Sequence, residues 1–170
     1  MKKLLFVTAL LAMGTMAMGA NPKTGYSQQA NVQVQAQIVD DQFTITDIYG
    51  KPIVVDFGKL YNNQTTSAVT FVEYKVTSKE AAIKKPIEFT IALGGKTAAD
   101  QKTEVTISTD KAAPNGSMKA VLGLSEYEGE IKAGARDYIG RIDGTLANSE
   151  ITGKPVGLYV GATQLEITVK

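Results

Sequence analysis

Eight or so short runs of alternating or β-branched residues, about ten residues apart and divided by Gly, Pro and Asn turns, predict an all-β fold. No segment shows the apolar period of a convincing amphipathic helix. With 170 residues and 44% hydrophobic content, the chain can bury one respectable core, and nothing suggests two.

The N-terminus reads as a leader. Met1-Lys2-Lys3 is a short basic start, residues 4–13 are apolar, and Ala17-Met18-Gly19-Ala20 offers the small residues that signal peptidase prefers. Residues 1–20 are therefore expected to be a secretory signal cut after Gly19 or Ala20. The apolar run falls short of the ~20 residues that span a bilayer, and no Cys stands at the cleavage region for lipid attachment. Residues 21–40 form an N-terminal extension and 41–170 a single β-domain.

Residues 21–29 are polar, with Pro22 and Gly25. From Asn31 to Ile38 the chain alternates without a break, placing Val32, Val34, Ala36 and Ile38 on one side of an extended strand and Asn31, Gln33, Gln35 and Gln37 on the other. Its polar side is uncharged amide, and no Lys, Pro or bulge-forming Gly blunts it against pairing with another chain. A strand at the start of the mature protein is easily donated. The same alternation fits the first strand of the chain's own sheet.

Residues 42–48 alternate again, with Phe43 and Ile45 on one face, and run into the turn Tyr49-Gly50-Lys51-Pro52. Residues 53–57 form a short strand closed by Gly58, and Asn62-Asn63-Gln64 is loop. Val72, Tyr74 and Val76 share one face of the next strand. Residues 78–85 are a loop or one helical turn stopped by Pro86. Ile87, Phe89, Ile91 and Leu93 make the cleanest interior strand, ended by Gly94-Gly95. Residues 103–109 carry Val105 and Ile107 on one face, and Pro114-Asn115-Gly116 is a turn. Residues 118–124 are a strand, 125–134 a charged loop, and Tyr138, Gly140 and Ile142 share a face of a strand begun near Arg136. Residues 148–155 are turn chemistry, 156–160 a strand, and Leu165, Ile167 and Val169 alternate to the end. This rhythm is that of an immunoglobulin-like β-sandwich.

Composition excludes several functions. Without Lys2 and Lys3 the balance of 18 Lys+Arg against 17 Asp+Glu falls from +1 to −1, so nothing draws nucleic acid. Cys, His and Trp are absent. Stability must come from packing and strand pairing, and the commonest general base and neutral metal ligand are both missing. The acidic groups Asp40-Asp41, Asp47 and Asp56, and Glu126, Glu128 and Glu130, lack a calcium-loop spacing and read as solvated loops. Gly94-Gly95-Lys96 and Gly157-Leu158-Tyr159-Val160-Gly161 lack phosphate-loop spacing and read as turns or bulges. No serine has a visible activating partner. No enzyme, cofactor or metal site is expected. Tyr49, Tyr61, Tyr74, Tyr127, Tyr138 and Tyr159 are scattered as packing residues are. The sequons at Asn63 and Asn115 are of a kind that polar loops throw up by chance.

The run Asn-Val-Gln-Val-Gln-Ala-Gln-Ile-Val-Asp from Asn31, then Phe43-Thr44-Ile45 and Asp47-Ile48-Tyr49-Gly50-Lys51-Pro52, resembles the mature start of alpha-class, colonisation-factor type pilins of the chaperone–usher pathway. The finish is similar too, in Gly157-Leu158-Tyr159-Val160-Gly161 and Leu165-Glu166-Ile167-Thr168-Val169. The resemblance implies an immunoglobulin-like domain that lacks one strand and is completed by the N-terminal extension of the next subunit. Val32, Val34, Ala36 and Ile38 would then enter a neighbour's groove. Leu165, Ile167 and Val169 would lie on a groove wall first held by a periplasmic chaperone. Partners would be identical or related pilin subunits in a homopolymer, the chaperone and an outer-membrane usher, with the fibre at the cell surface and its host receptor unspecified. The competing expectation is a secreted or periplasmic monomeric binding module with its own complete sheet.

Overall fold

The computed structural model describes residues 28–36 (backbone), 43–80, 83–109 and 116–170. The expected signal, most of the leader, Gln37, Ile38, Asp40-Asp41 and the Pro114-Asn115 turn lie outside the described residues.

The protein is nearly all β. Its strands are β1 (Gln28–Ala36), β2 (Phe43–Asp47), β3 (Val54–Leu60), β4 (Ala68–Ser78), β5 (Ile87–Leu93), β6 (Thr103–Thr109), β7 (Ser117–Leu124), β8 (Glu128–Ile131), β9 (Asp137–Leu146) and β10 (Tyr159–Val169), and the helical turn α1 (Asn148–Ile151) precedes β10. Hydrogen bonds thread the strands in the order β2-β4-β9-β7-β6-β10-β1-β3, with β5 on β10 and β8 on β5. Among these ladders β1–β10 is parallel and the rest are antiparallel.

Alternation drives this arrangement. In β6 the odd positions Thr103, Val105 and Ile107 are buried while Glu104 and Thr106 are exposed, as a pleated strand with one dry face requires. Tyr74 and Val76 of β4, Ile142 and Leu146 of β9, Leu122 of β7 and Ile107 of β6 share one core cluster with Val55, Phe89, Ile91, Leu93 and Leu165 from the strands beyond β6. β3 packs on β9 where Gly144 leaves room. A Cβ there would stand 2.9 Å from Val55 Cγ1 and 3.0 Å from Phe57 Cζ.

Several elements differ from the sequence expectation. Gly58 does not close a strand: β3 continues through it to Leu60, with Gly58 at φ 69°. The charged stretch 125–134 contains β8, which pairs with β5 through Ile87↔Ile131 to Thr90↔Glu128. The last two expected strands are one, β10, which starts at Tyr159. β4 begins at Ala68, earlier than its best alternating residues. The expected turn at 148–155 contains α1, while β5 and β6 keep the bounds 87–93 and 103–109 that alternation gives them. β5 ends at Gly94-Gly95, both at positive φ (56° and 75°), in a turn where Leu93 and Lys96 exchange main-chain bonds of 3.0 Å each.

Candidate strand-acceptor site

β10 is where the ladders change partner. On one edge Tyr159 and Val160 face Thr109 and Ser108 of β6, and Leu165–Val169 face Leu93–Phe89 of β5. Between these blocks, Gly94 N donates to Gln164 O at 2.7 Å. Gly161 sits at the changeover, and a Cβ there would collide with the Thr106 carbonyl and with Ile107. Only glycine allows β10 so close to β6.

The other edge of β10 belongs to β1, in parallel register from Ala30↔Tyr159 to Ala36↔Leu165. The far side of β1 holds β3, antiparallel, from Gln28↔Leu60 to Gln33↔Val54. The register shifts between Gln29↔Lys59 and Asn31↔Asp56, where β3 advances one residue more than β1. Gly58 supplies the positive φ that such a bulge favours, and Asp56 Oδ1 accepts the Gly58 N–H at 2.8 Å. Among the described residues β3 has no strand neighbour except β1. Without β1, β3 is unpaired and β10 loses one edge from Tyr159 to Leu165.

The predicted donor residues fall at defined places in this register. Val32 lies opposite Gly161 and Val55, Val34 opposite Thr163, and Ala36 opposite Leu165. These β10 partners are its less exposed positions, and Val55 and Leu165 are fully buried, whereas Ala162 and Gln164, opposite Gln33 and Gln35, are exposed. Ile38 lies outside the described residues. The predicted wall residues divide: Leu165 is buried and adjoins both β1 and β5, Ile167 is half-buried against the core, and Val169 is 50% exposed. Among the described residues Ile167 and Val169 pair with β5 alone, opposite Ile91 and Phe89.

Of the acidic residues singled out in the sequence, Asp56 belongs to this site, on β3 opposite Asn31. Asp40 and Asp41 lie outside the described residues, and the others stand apart from the site or serve turns. Asp47 Oδ1 accepts the N–H groups of Tyr49 (2.9 Å) and Lys51 (2.7 Å). Glu128 pairs with Lys170 Nζ at 2.8 Å, and Glu130 lies opposite Glu88 on the β8–β5 ladder. Among the described residues no three His, Cys, Asp or Glu converge as metal ligands would.

The most perturbed titratable groups are tyrosines in the core. Burial, with help from the nearby Tyr138 and Glu126, holds the Tyr74 phenol far above its ordinary value, and its hydroxyl has no hydrogen-bond partner among the described residues. The neighbouring Tyr138 donates to Glu126 Oε2 at 3.0 Å instead. Burial first and that bond second push Tyr138 up to about 12. Both phenols stay neutral at physiological pH and serve packing, Tyr138 lying edge-on to Phe89 at 5.2 Å.

One surface went unread in the sequence. Val69 and Phe71 of β4 and Ile139 of β9 are 75%, 62% and 57% exposed, with the Arg141 guanidinium 5.5 Å from the Phe71 ring centre and 3.1 Å from Asp143. The parity of Tyr74 and Val76 was the available signal, because it sends 69 and 71 outward. No protein-family model matches the chain, and no curated protein matches it.

Proposed function

We propose that the chain is the structural subunit of an adhesive surface fibre, an exported immunoglobulin-like β-sandwich that polymerises when the N-terminal strand of one subunit occupies the place between β3 and β10 of another. Identical or related subunits are its partners in the fibre, and a periplasmic chaperone and an outer-membrane usher handle it on the way. The observation that carries this reading is the position of β1: an N-terminal strand that, among the described residues, is the sole strand neighbour of β3 and completes one edge of β10. The pilin-like residues at both ends of the chain support it. Exchange of such a strand between identical chains remakes the same contacts in a head-to-tail, open-ended pattern, which builds a filament.

A second reading has an observation of its own. In the single chain β1 is seated in its own sheet, as a self-sufficient monomeric binding module would have it. Co-refolding separates the two. A Gln33→Cys chain mixed with a Val54→Cys chain, in a background without cysteine, places the two thiols opposite each other only when strands pass between chains. Donation gives interchain disulfides and a ladder of oligomers as concentration rises from micromolar to millimolar. Monomer alone at every concentration excludes the fibre and leaves the module.

A further inference from the structure

We infer that β1, seated between β3 and β10 of its own chain, is an intramolecular lock that withholds the donor strand and the acceptor slot together; the inference rests on the fibre reading above. One element is both the ribbon to be given away and the occupant of the place where a neighbour's ribbon would go. A seated subunit can neither donate nor accept. Once β1 leaves, both functions appear in the same molecule, so each release creates a subunit competent at both ends.

The geometry also shows why the lock holds and why it can open. Tethered to its own slot, β1 competes at an effective concentration on the order of millimolar, against micromolar neighbours, an advantage of roughly a thousandfold. Its hold is nevertheless the weaker kind of pairing. The β10 edge is parallel, which is slightly less stable per residue than antiparallel, and the β3 edge is broken by the shift between Gln29 and Asn31. The strand lies at the start of the described chain and threads through no other element, so it can be withdrawn without unpairing β4, β9, β7 or β6.

The test is a reversible clamp. Gln33 and Val54 are opposed across the antiparallel β1–β3 pair, where Cα separations of about 4.5–5.5 Å suit a disulfide. In a Gln33→Cys/Val54→Cys chain, oxidation fastens β1 in its own slot. The oxidised protein should stay a folded monomer by near-ultraviolet dichroism and enter oligomers at least tenfold more slowly than the same protein reduced, at concentrations where the wild type assembles. Oxidised protein that assembles as fast as reduced protein overturns the lock and leaves the fibre reading intact. A wild type that never assembles defeats the fibre reading itself. Kinetics of the unmodified chain give a second measurement should the clamp disturb folding. Strand release as the limiting step makes the rate of entry into oligomers first-order in subunit and insensitive to excess acceptor, and a rate that climbs in proportion to acceptor overturns the inference.

Discussion

β4 and β9 run antiparallel from Ala68↔Leu146 to Thr77↔Asp137, and large side chains key the pair together. Tyr74 fills the space Gly140 leaves, since any Cβ at 140 would strike its ring and hydroxyl. Tyr74 and Tyr138 then meet at 6.3 Å between ring centres. β1 sits in the sheet differently, a terminal strand of Gln, Asn, Val and Ala joined to β10 in parallel and to β3 across a register shift. A keyed pair cannot be parted without opening a cavity, whereas a strand held by main-chain ladders can be replaced by any strand of matching pattern. On the fibre reading proposed above, folding is thus concentrated in one region and exchange in the other.

The sharpest way to break this comparison is at Tyr74. It is fully buried, and Tyr74→Ala should remove about 3–5 kcal/mol in urea unfolding, as truncation of a buried aromatic does. Tyr74→Phe removes only a hydroxyl that lacks a hydrogen-bond partner among the described residues. It should be neutral or stabilising by about 1 kcal/mol. If the two variants lose stability equally, the ring is not the key.

Gln33→Pro asks the converse question of β1. Gln33 is paired on both sides, with Ala162 and with Val54, so its N–H serves one ladder or the other and proline must break it. Hydrogen exchange should speed up in β3 and over 159–165 of β10 while β4 and β9 keep their protection, a local opening rather than a global one. Uniform loss of protection would make β1 as integral to the fold as β4.

The same contrast decides what could be read in the sequence. β5 and β6 were legible to the residue because strict alternation and the Gly94-Gly95 turn are local signals. β8 was not. Glu-Gly-Glu-Ile has poor strand propensity, and it forms because β5 offers it an edge and because only Gly129 clears the rings of Phe89 and Tyr138. Gly58 looked like a stop because a positive-φ glycine in a bulge and one in a turn are spelled alike. For the candidate site, alternation marked Val32, Val34, Ala36 and Ile38 as one row, but the opposition of Val32 to Val55 and of Ala36 to Leu165 joins distant parts of the chain, which no local pattern encodes.

The smallest effect at neutral pH, and the most specific, concerns Tyr138. Its folded-state value of about 12 lies above the ordinary 10.0, so the native protein keeps a proton that the unfolded chain has lost between those values. The contribution is therefore complete below pH 10 and disappears as pH rises toward 12. Tyr74 and Tyr159, both raised by burial, act in the same direction. Tyr138→Phe deletes one hydrogen bond to Glu126 and should cost no more than about 1 kcal/mol at pH 7. Between pH 10 and 12 its stability should fall less steeply than that of the wild type, while the rate at which β1 exchanges between chains stays unchanged by the substitution at neutral pH. On the fibre reading, a Tyr138→Phe chain that alters exchange of β1 would show that the keyed region and β1 are coupled, and one that matches the wild type in alkaline slope would show that Tyr138 is not the source of that slope.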